Sequence, residues 1–140
     1  MARVTGLGGV FFKAEDPEAM KAWYRDRLGV EPDPGGYVSF LWRSVDEPDK
    51  IARTAWGPFD ADTRYFDPSE KPWMLNYRVD DLDGLLDQLR AAGVEEVGEM
   101  EEYEYGRFAW VLDPEGNKVE LWEPADAPAT SLQEKSRAGG

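Results

Sequence analysis

The sequence predicts an α+β fold in which two tandem βαβββ modules form one curved mixed sheet around a concave cleft, with the helices on its outer face. Two amphipathic helical patterns occur in matching contexts, each preceded by an apolar run and an acidic residue. The glycines that follow them, Gly29 and Gly93, stand 64 positions apart, close to half of the 140 residues. Short strand-like stretches follow each helical pattern, which indicates an internal duplication.

The first helix is predicted over residues 16–28. Asp16 is a good N-cap, Pro17 suits the first helical position, and Gly29 is a typical residue after a helix end. Its apolar residues recur at helical spacing, and they are Met20, Trp23, Tyr24 and Leu28.

The second helix is predicted over residues 81–92. Asp80 or Asp81 can cap it, and Gly93 follows its end. Its apolar residues also recur at helical spacing, and they are Leu82, Leu85, Leu86 and Leu89.

The strands are predicted from short apolar runs between these helices and turn residues. The runs before the helices are 8–14 and 73–79, and those after them are 36–42, 51–56, a weaker candidate at 63–66, 94–99, 105–112 and 118–122. We expect Gly57 and Pro58 to end the strand that reaches Trp56, because proline cannot donate to a ladder.

These elements predict a single domain over residues 1–124. Its modules cover about 4–60 and 72–124, with a linker at 60–72. Residues 125–140 form a tail rich in small and polar residues, which we expect to lie on the surface.

The composition excludes several kinds of chemistry. The chain contains no cysteine and no histidine, which rules out disulfides, thiolate nucleophiles and imidazole ligands or bases. Its formal net charge of −13 makes nucleic acids and anionic membranes poor partners. Residues 1–9 lack the long apolar segment of a secretory signal, so we expect a cytoplasmic protein.

Strand alternation assigns side chains to the two faces of the sheet. In the run 73–79, Leu75, Tyr77 and Val79 are predicted to face the helices. The residues that alternate with them then face the open side. The residues predicted on that open face are Met74, Asn76, Arg78, Lys118, Glu120 and Trp122.

The order and spacing of several motifs resemble the vicinal oxygen chelate superfamily, which includes glyoxalases, bleomycin-resistance proteins and dioxygenases. The motifs span residues 4–124: DP at 16–17, WY at 23–24, LG at 28–29, VDDLD at 79–83 and DPEGNKVELW at 113–122. The runs GLGGVFFK at 6–13 and WMLNYRV at 73–79 are similar to an uncharacterised bacterial glyoxalase-like branch.

The resemblance implies where metal ligands would stand. Metal-using members take ligands from the first, fifth and eighth strands, which map onto Gly9, Met74 (or Trp73 in a shifted register) and Glu120. Of these, only Glu120 can bind a hard divalent ion through its side chain. We therefore expect neither a catalytic metal nor another cofactor, unless further carboxylates such as Glu102 or Glu104 complete a site.

Glu120 is the first candidate functional residue, either as a ligand anchor or as a general base; an inherited structural carboxylate is the alternative. We predict a ligand pocket lined by Trp42, Trp56, Met74, Asn76, Arg78, Phe108, Trp110, Glu120 and Trp122. A second core or a dimer interface would also account for these aromatics.

Charged residues suggest opposite kinds of ligand. The run 99–105 mixes acids with aromatics, so it could attract a cation, although it could equally be a solvated loop. Lys13, Arg78 and Arg107 are best placed to meet an anion, unless nearby acids pair with them.

Two functions follow from this pattern. The first is a small-molecule binding or sequestering protein of the bleomycin-resistance type, metal-free and homodimeric, for an aromatic or cationic molecule. The second is a glyoxalase-like lyase, isomerase or dioxygenase-related enzyme that uses Glu120 as a base or residual ligand.

Overall fold

The computed structural model describes residues 1–125 as one seven-stranded sheet with two helices. Its elements in chain order are β1 Val4–Ala14, α1 Pro17–Leu28, β2 Val38–Trp42, β3 Ala52–Asp60, β4 Trp73–Val79, α2 Leu82–Ala91, β5 Glu101–Tyr103, β6 Gly106–Leu112 and β7 Lys118–Pro124. The α+β fold class with an open curved sheet is confirmed. None of the helices in this part of the chain is long and apolar enough to cross a membrane.

The strand order β2-β3-β1-β4-β7-β6-β5 divides the sheet between the two halves of the chain. The first half supplies β2, β3 and β1, and the second supplies the remaining strands. Parallel pairing occurs once in each half, between β1 and β3 and between β4 and β7. The two halves meet where β1 pairs antiparallel with β4 in the middle of the sheet.

Both predicted helices are present with the caps expected from the sequence. The Asp16 side chain accepts a hydrogen bond from the Ala19 amide at 3.0 Å, and Asp81 accepts one from Gly84 at 3.1 Å. Gly29 adopts a left-handed conformation, with a φ of 71°, at the end of α1.

The helices differ in how well they are buried. On α2, Leu82, Leu85 and Leu86 are buried against Val79 and Leu121, which forms the main apolar core on the outer face of the sheet. On α1 no residue is buried, and its contacts with the sheet run through Tyr24, whose ring lies 4.7 Å from that of Trp56.

Three strand predictions were wrong. Residues 63–66 form turns, held by bonds such as that from the Asp67 amide to the Arg64 carbonyl at 3.1 Å, so the first half has two strands after its helix. The stretch 94–99 makes only an isolated bridge, Glu96 to Val111, because left-handed Gly98 (φ 72°) interrupts it.

The third correction concerns Gly57 and Pro58, which do not end β3. Pairing of β2 with β3 stops at Val38 and Trp56, so residues 57–60 pair with β1 alone. One edge of the strand is free there, and proline is tolerated at such an edge. The predicted tail lies outside the described residues from residue 126 onward.

Candidate ligand-binding cleft

The concave face of the sheet encloses a cleft of about 740 Å³. All seven strands contribute to its walls, together with the first residues of α1 and the turn that follows β3. Its aromatic lining residues are Phe11, Tyr37, Trp56, Phe59, Tyr65, Tyr103, Tyr105, Phe108, Trp110 and Trp122. A concave site that is largely apolar and rich in aromatic residues is the usual form of a small-molecule site.

Glu120 lies at the base of this cleft and is 3% exposed. Its Oε2 accepts hydrogen bonds from the Tyr65 hydroxyl at 2.5 Å and from Trp110 Nε1 at 2.8 Å, and its Oε1 accepts one from Asn76 Nδ2 at 2.7 Å. The sheet register explains two of these contacts, because Glu120 on β7 is flanked by Asn76 on β4 and Trp110 on β6. Three donors therefore hold this carboxylate in one orientation.

Tyr65 reaches Glu120 from the turn between the two halves, a stretch that the sequence predicts as a linker with a weak strand candidate at 63–66. Its ring stacks on Phe59, with 5.7 Å between centroids and 11° between planes. Burial, and then the charge of Glu120, raises the pKa of the Tyr65 hydroxyl far above its ordinary value. The hydroxyl therefore remains a proton donor to the carboxylate throughout the neutral range.

Lys118 holds the same turn from β7. Its Nζ donates a hydrogen bond to the Tyr65 carbonyl at 2.6 Å and lies 5.0 Å from the Tyr65 ring and 5.6 Å from that of Trp110. Burial lowers the pKa of the Lys118 ammonium, and the Glu120 carboxylate opposes that shift. Lys118 thus fixes the position of Tyr65 in two ways, by a hydrogen bond to the Tyr65 backbone and by a contact with the Tyr65 ring.

Arg53, on β3, also lines the cleft, and the sequence reasoning missed it. It is 5% exposed; its Nη1 makes one long bond of 3.4 Å to Ser39 Oγ, and its Nη2 has no hydrogen-bond partner. Burial lowers the pKa of its guanidinium. The signal in the sequence was a single basic residue in the first part of a strand that is otherwise uncharged up to Phe59.

Arg78, on β4, lies next to this region. Its guanidinium sits between two indoles, 5.8 Å from the Trp42 ring and 5.1 Å from the Trp122 ring. Burial, followed by the positive charge of Arg53, lowers the pKa of Arg78 to about 10. Trp42, which Arg78 contacts, pairs with Ala52 next to Arg53, so the two arginines lie in the same part of the sheet.

Two glycines on β1 make room for these side chains. A Cβ on Gly8 would collide with the Asn76 side chain and lie 3.1 Å from Arg78 Cγ, and a Cβ on Gly6 would lie 2.5 Å from the Trp42 ring. Because these glycines have no side chains, Trp42 from β2 and Asn76 and Arg78 from β4 can extend over β1.

The acidic run near one edge of the cleft forms β5 and the turn into β6. Tyr103 donates a hydrogen bond to Glu101, and its ring stacks on that of Tyr105 at 5.2 Å. Hydrogen bonding to Glu101 raises the pKa of Tyr103, and burial raises that of Tyr105. Both tyrosines and Glu101 line the cleft, whereas Glu102 and Glu104 do not.

The structure brings together six of the nine residues predicted to bind a ligand. Trp56, Asn76, Phe108, Trp110, Glu120 and Trp122 line the cleft. Met74 lies beneath it, fully buried beside Phe66. Arg78 lies against Trp122 and Gly8, and Trp42 lies against Arg78 and Gly6.

The two other basic candidates do not line the cleft. Arg107 pairs with Asp83 at 3.0 Å and with Glu123 at 3.1 Å. Lys13 lies 5.7 Å from the Phe66 ring.

The donor set does not fit a divalent metal. Gly9 offers no side chain, Met74 is packed among aromatic rings, and the residue beside Glu120 in the register is Asn76, whose amide nitrogen faces the carboxylate. Within residues 1–125, no three acidic side chains come close enough to hold an ion. Glu120 instead accepts hydrogen bonds from three protein donors.

Comparisons with known proteins agree with this architecture. Methylmalonyl-CoA epimerase from Mycobacterium tuberculosis is 25% identical, with a TM-score of 0.57 over 87% of this chain and 89% of that one. The Streptomyces coelicolor methylmalonyl-CoA epimerase in complex with 2-nitronate-propionyl-CoA is 15% identical, with a TM-score of 0.62 over 88% and 99%. A glyoxalase/bleomycin resistance protein/dioxygenase superfamily member from Vibrio splendidus 12B01 is 15% identical, with a TM-score of 0.53 over 88% and 99%.

The sequence comparisons give a family but no single relative. No curated protein matches the chain. A family model described as a glyoxalase-like domain matches residues 9–122, which is most of the molecule. The resemblance to the vicinal oxygen chelate superfamily is confirmed, and the chain belongs to the glyoxalase-like domain family.

Proposed function

We propose that this protein binds a small, flat and largely apolar molecule in the cleft, and that it does so without a catalytic metal. The observation that supports this most is the aromatic lining of the cleft, together with one buried carboxylate that three side chains hold in place. Aromatic walls favour flat ligands through stacking and burial, and a few fixed polar groups orient them.

In this proposal Glu120 anchors the ligand. A carboxylate offers about four lone-pair positions, and the protein occupies two on Oε2 and one on Oε1. One position on Oε1 remains for a hydroxyl or N–H of the ligand. The fixed orientation of Glu120 means that little side-chain entropy is lost when the ligand binds.

A variant that fills the cleft tests this proposal. Gly57 lines the cleft, its φ lies outside the left-handed region, and a Cβ there would meet no atom within 4 Å. Gly57→Leu should therefore fold normally and obstruct ligand entry. Compounds from a thermal-shift screen that stabilise the wild type should lose at least about tenfold in affinity for Gly57→Leu by calorimetry.

The matched control is Ala91→Leu, which adds a similar side chain at an exposed position of α2. It should leave the affinities unchanged. Equal affinities for the wild type and Gly57→Leu would overturn the proposal. Elemental analysis adds a separate check, because a stoichiometric transition metal lost in Glu120→Gln would overturn its metal-free part.

A second candidate function is proton transfer by a glyoxalase-like enzyme, with Glu120 as the base. Its support is a carboxylate at the base of an apolar cleft, together with the similarity to a protein described as an epimerase. Deuterium exchange at the carbon next to a carbonyl, followed by NMR, distinguishes the two functions. Exchange that Glu120→Gln abolishes would favour the enzyme, and binding without exchange would favour the first function.

A cytoplasmic location and a homodimer are further parts of the proposal. Trp23 and Leu28 on α1 are 52% and 60% exposed, and Phe40 and Leu41 on the edge strand β2 are 48% and 49% exposed. Apolar surface of this kind is typical of an interface. Light scattering after size-exclusion chromatography should give twice the 15.8 kDa chain mass.

A further inference from the structure

Arg53 and Arg78 form a positive region, and the acids that act on them, Asp33 for Arg53 and Glu47 for Arg78, lie beyond ion-pair distance. Arg3, Arg25, Arg64, Arg90 and Arg107 each pair with a carboxylate. No ion pair in the described part of the chain involves Arg53 or Arg78. Within residues 1–125, Arg27 and Arg43 also lack an ion pair, but both are exposed, whereas Arg53 is buried and Arg78 is half-buried.

An unpaired guanidinium is costly where Arg53 lies. The side chain is 5% exposed, and its Nη2 has no hydrogen-bond acceptor. A buried polar group without a partner normally costs stability, so its acceptor is expected from outside the chain. Arg53 lines the cleft, which is where a ligand could provide that acceptor.

Arg78 adds charge to the same region. Its guanidinium contacts the faces of Trp42 and Trp122 instead of a carboxylate. Trp122 lines the cleft and pairs with Arg78 in the sheet register, so Arg78 lies directly beside that wall. Two cations beside an apolar cleft favour an anion there more strongly than either would alone.

We propose that the ligand of the cleft carries a carboxylate group, and that this group binds at Arg53 with Arg78 behind it. The inference rests on the proposed binding function and names its ligand class as apolar organic acids. A carboxylate matches the planar donors of a guanidinium.

The Glu120 carboxylate does not prevent a ligand carboxylate from binding at Arg53, because the two positions are far apart. Arg53 is on β3 and Glu120 is on β7, with β1 and β4 between them, so three strand spacings separate them by about 14 Å. Asn76 lies between the two ends, bonded to Glu120 through Nδ2, while its buried Oδ1 has no donor. The cleft therefore favours a molecule with an acid at one end and a hydrogen-bond donor toward the other.

A matched pair of ligands tests this inference, namely 6-hydroxy-2-naphthoate and 6-hydroxy-2-naphthamide. The two compounds share their rings and their hydroxyl and differ in one charge. Calorimetry on the wild type should show the carboxylate binding at least about tenfold more tightly than the amide. Arg53→Met should reduce that preference to about twofold or less and leave the affinity for the amide nearly unchanged.

The matched control is Arg27→Met, which removes one positive charge from an exposed position on α1. It should retain the full preference. If Arg53→Met does not fold by circular dichroism, Arg78→Gln should still weaken the preference. In the wild type alone, the preference should also fall as NaCl rises from about 0.05 to about 0.5 M.

The outcomes separate this inference from the proposed function. If both compounds bind equally and Gly57→Leu abolishes both, the cleft binds ligands but the carboxylate inference is overturned. A preference that survives in Arg53→Met overturns it as well. If neither compound binds and the screen finds no ligand sensitive to Gly57→Leu, the proposed function fails together with the inference.

Discussion

Replacing Glu120 should disturb three hydrogen bonds at once. In Glu120→Gln one carboxylate oxygen becomes an NH₂ group, which can bond to Asn76 only if that amide turns over to present Oδ1. Tyr65 and Trp110 then donate to a neutral amide oxygen instead of a carboxylate, and hydrogen bonds to a charged acceptor are roughly twice as strong. We expect the free energy of unfolding, measured by urea denaturation, to fall by roughly 2–4 kcal/mol.

The control for this prediction is Glu115→Gln, an equal change in the exposed turn before β7. Its effect should stay within about 0.5 kcal/mol. A Glu120→Gln protein as stable as this control would contradict the hydrogen-bond geometry around the carboxylate.

Tyr65 gives a prediction about pH. Its folded-state pKa is raised above the ordinary value of 10, so folding favours its protonated form. That contribution to stability is fully present below pH 10 and is lost as the pH rises above it, because the unfolded chain then releases the proton and the folded protein does not. The difference in unfolding free energy between the wild type and Tyr65→Phe should therefore shrink between about pH 9 and about pH 11.

Urea denaturation of both proteins across that range measures this difference. Tyr37→Phe, in the loop before β2, is a suitable control because it removes a tyrosine away from Glu120. A wild-type advantage over Tyr65→Phe that is constant or grows with pH would be inconsistent with a buried, protonated Tyr65.

The two helices differ in burial, so the same substitution should lower the free energy of unfolding by different amounts in each helix. Leu86 on α2 is 3% exposed within the main core, whereas Leu28 on α1 is 60% exposed. Leu86→Ala should lower the free energy of unfolding by roughly 2–4 kcal/mol, and Leu28→Ala by less than about 0.5 kcal/mol. Chemical denaturation of the isolated monomer at low concentration measures both values, and equal losses would refute this description of α1.

Elements with strong local signals could be predicted from the sequence. The limits of β4 follow from its alternation and flanking proline, and both helices begin at the acidic caps expected for them. The extension of β3 past Gly57 and Pro58 could not be predicted. It depends on β2 ending at Val38, which leaves one edge of β3 free.

Within the site, the sequence predicts only the positions of residues that the pairing of neighbouring strands brings together. The placement of Asn76 and Trp110 beside Glu120 follows from neighbouring strands, and alternation assigns them to one face. Tyr65 enters the site from a turn, and Arg53 comes from the other half of the sheet. Neither position follows from the local sequence, because each depends on how the two halves pack together.

The charge of the whole molecule affects its stability. The chain has 29 acidic and 16 basic residues, and its net charge of −13 makes the folded state repel itself. Raising NaCl from about 0.05 to about 0.5 M at neutral pH should therefore raise the melting temperature by about 2–4 °C. The same addition near pH 4.4, the isoelectric point of the sequence, should have little effect, and an equal rise at both pH values would show that repulsion is not the cause.

Tyr65 also makes the cleft dependent on the assembly of the whole sheet. Its ring stacks on Phe59 of the first half, its hydroxyl binds Glu120 of the second, and the two halves meet along β1 and β4. If that central pairing opened, each half would expose an unpaired strand that could recruit the corresponding half of another chain. Because a bound ligand would favour the closed arrangement by mass action, ligand binding should protect this protein against such domain exchange.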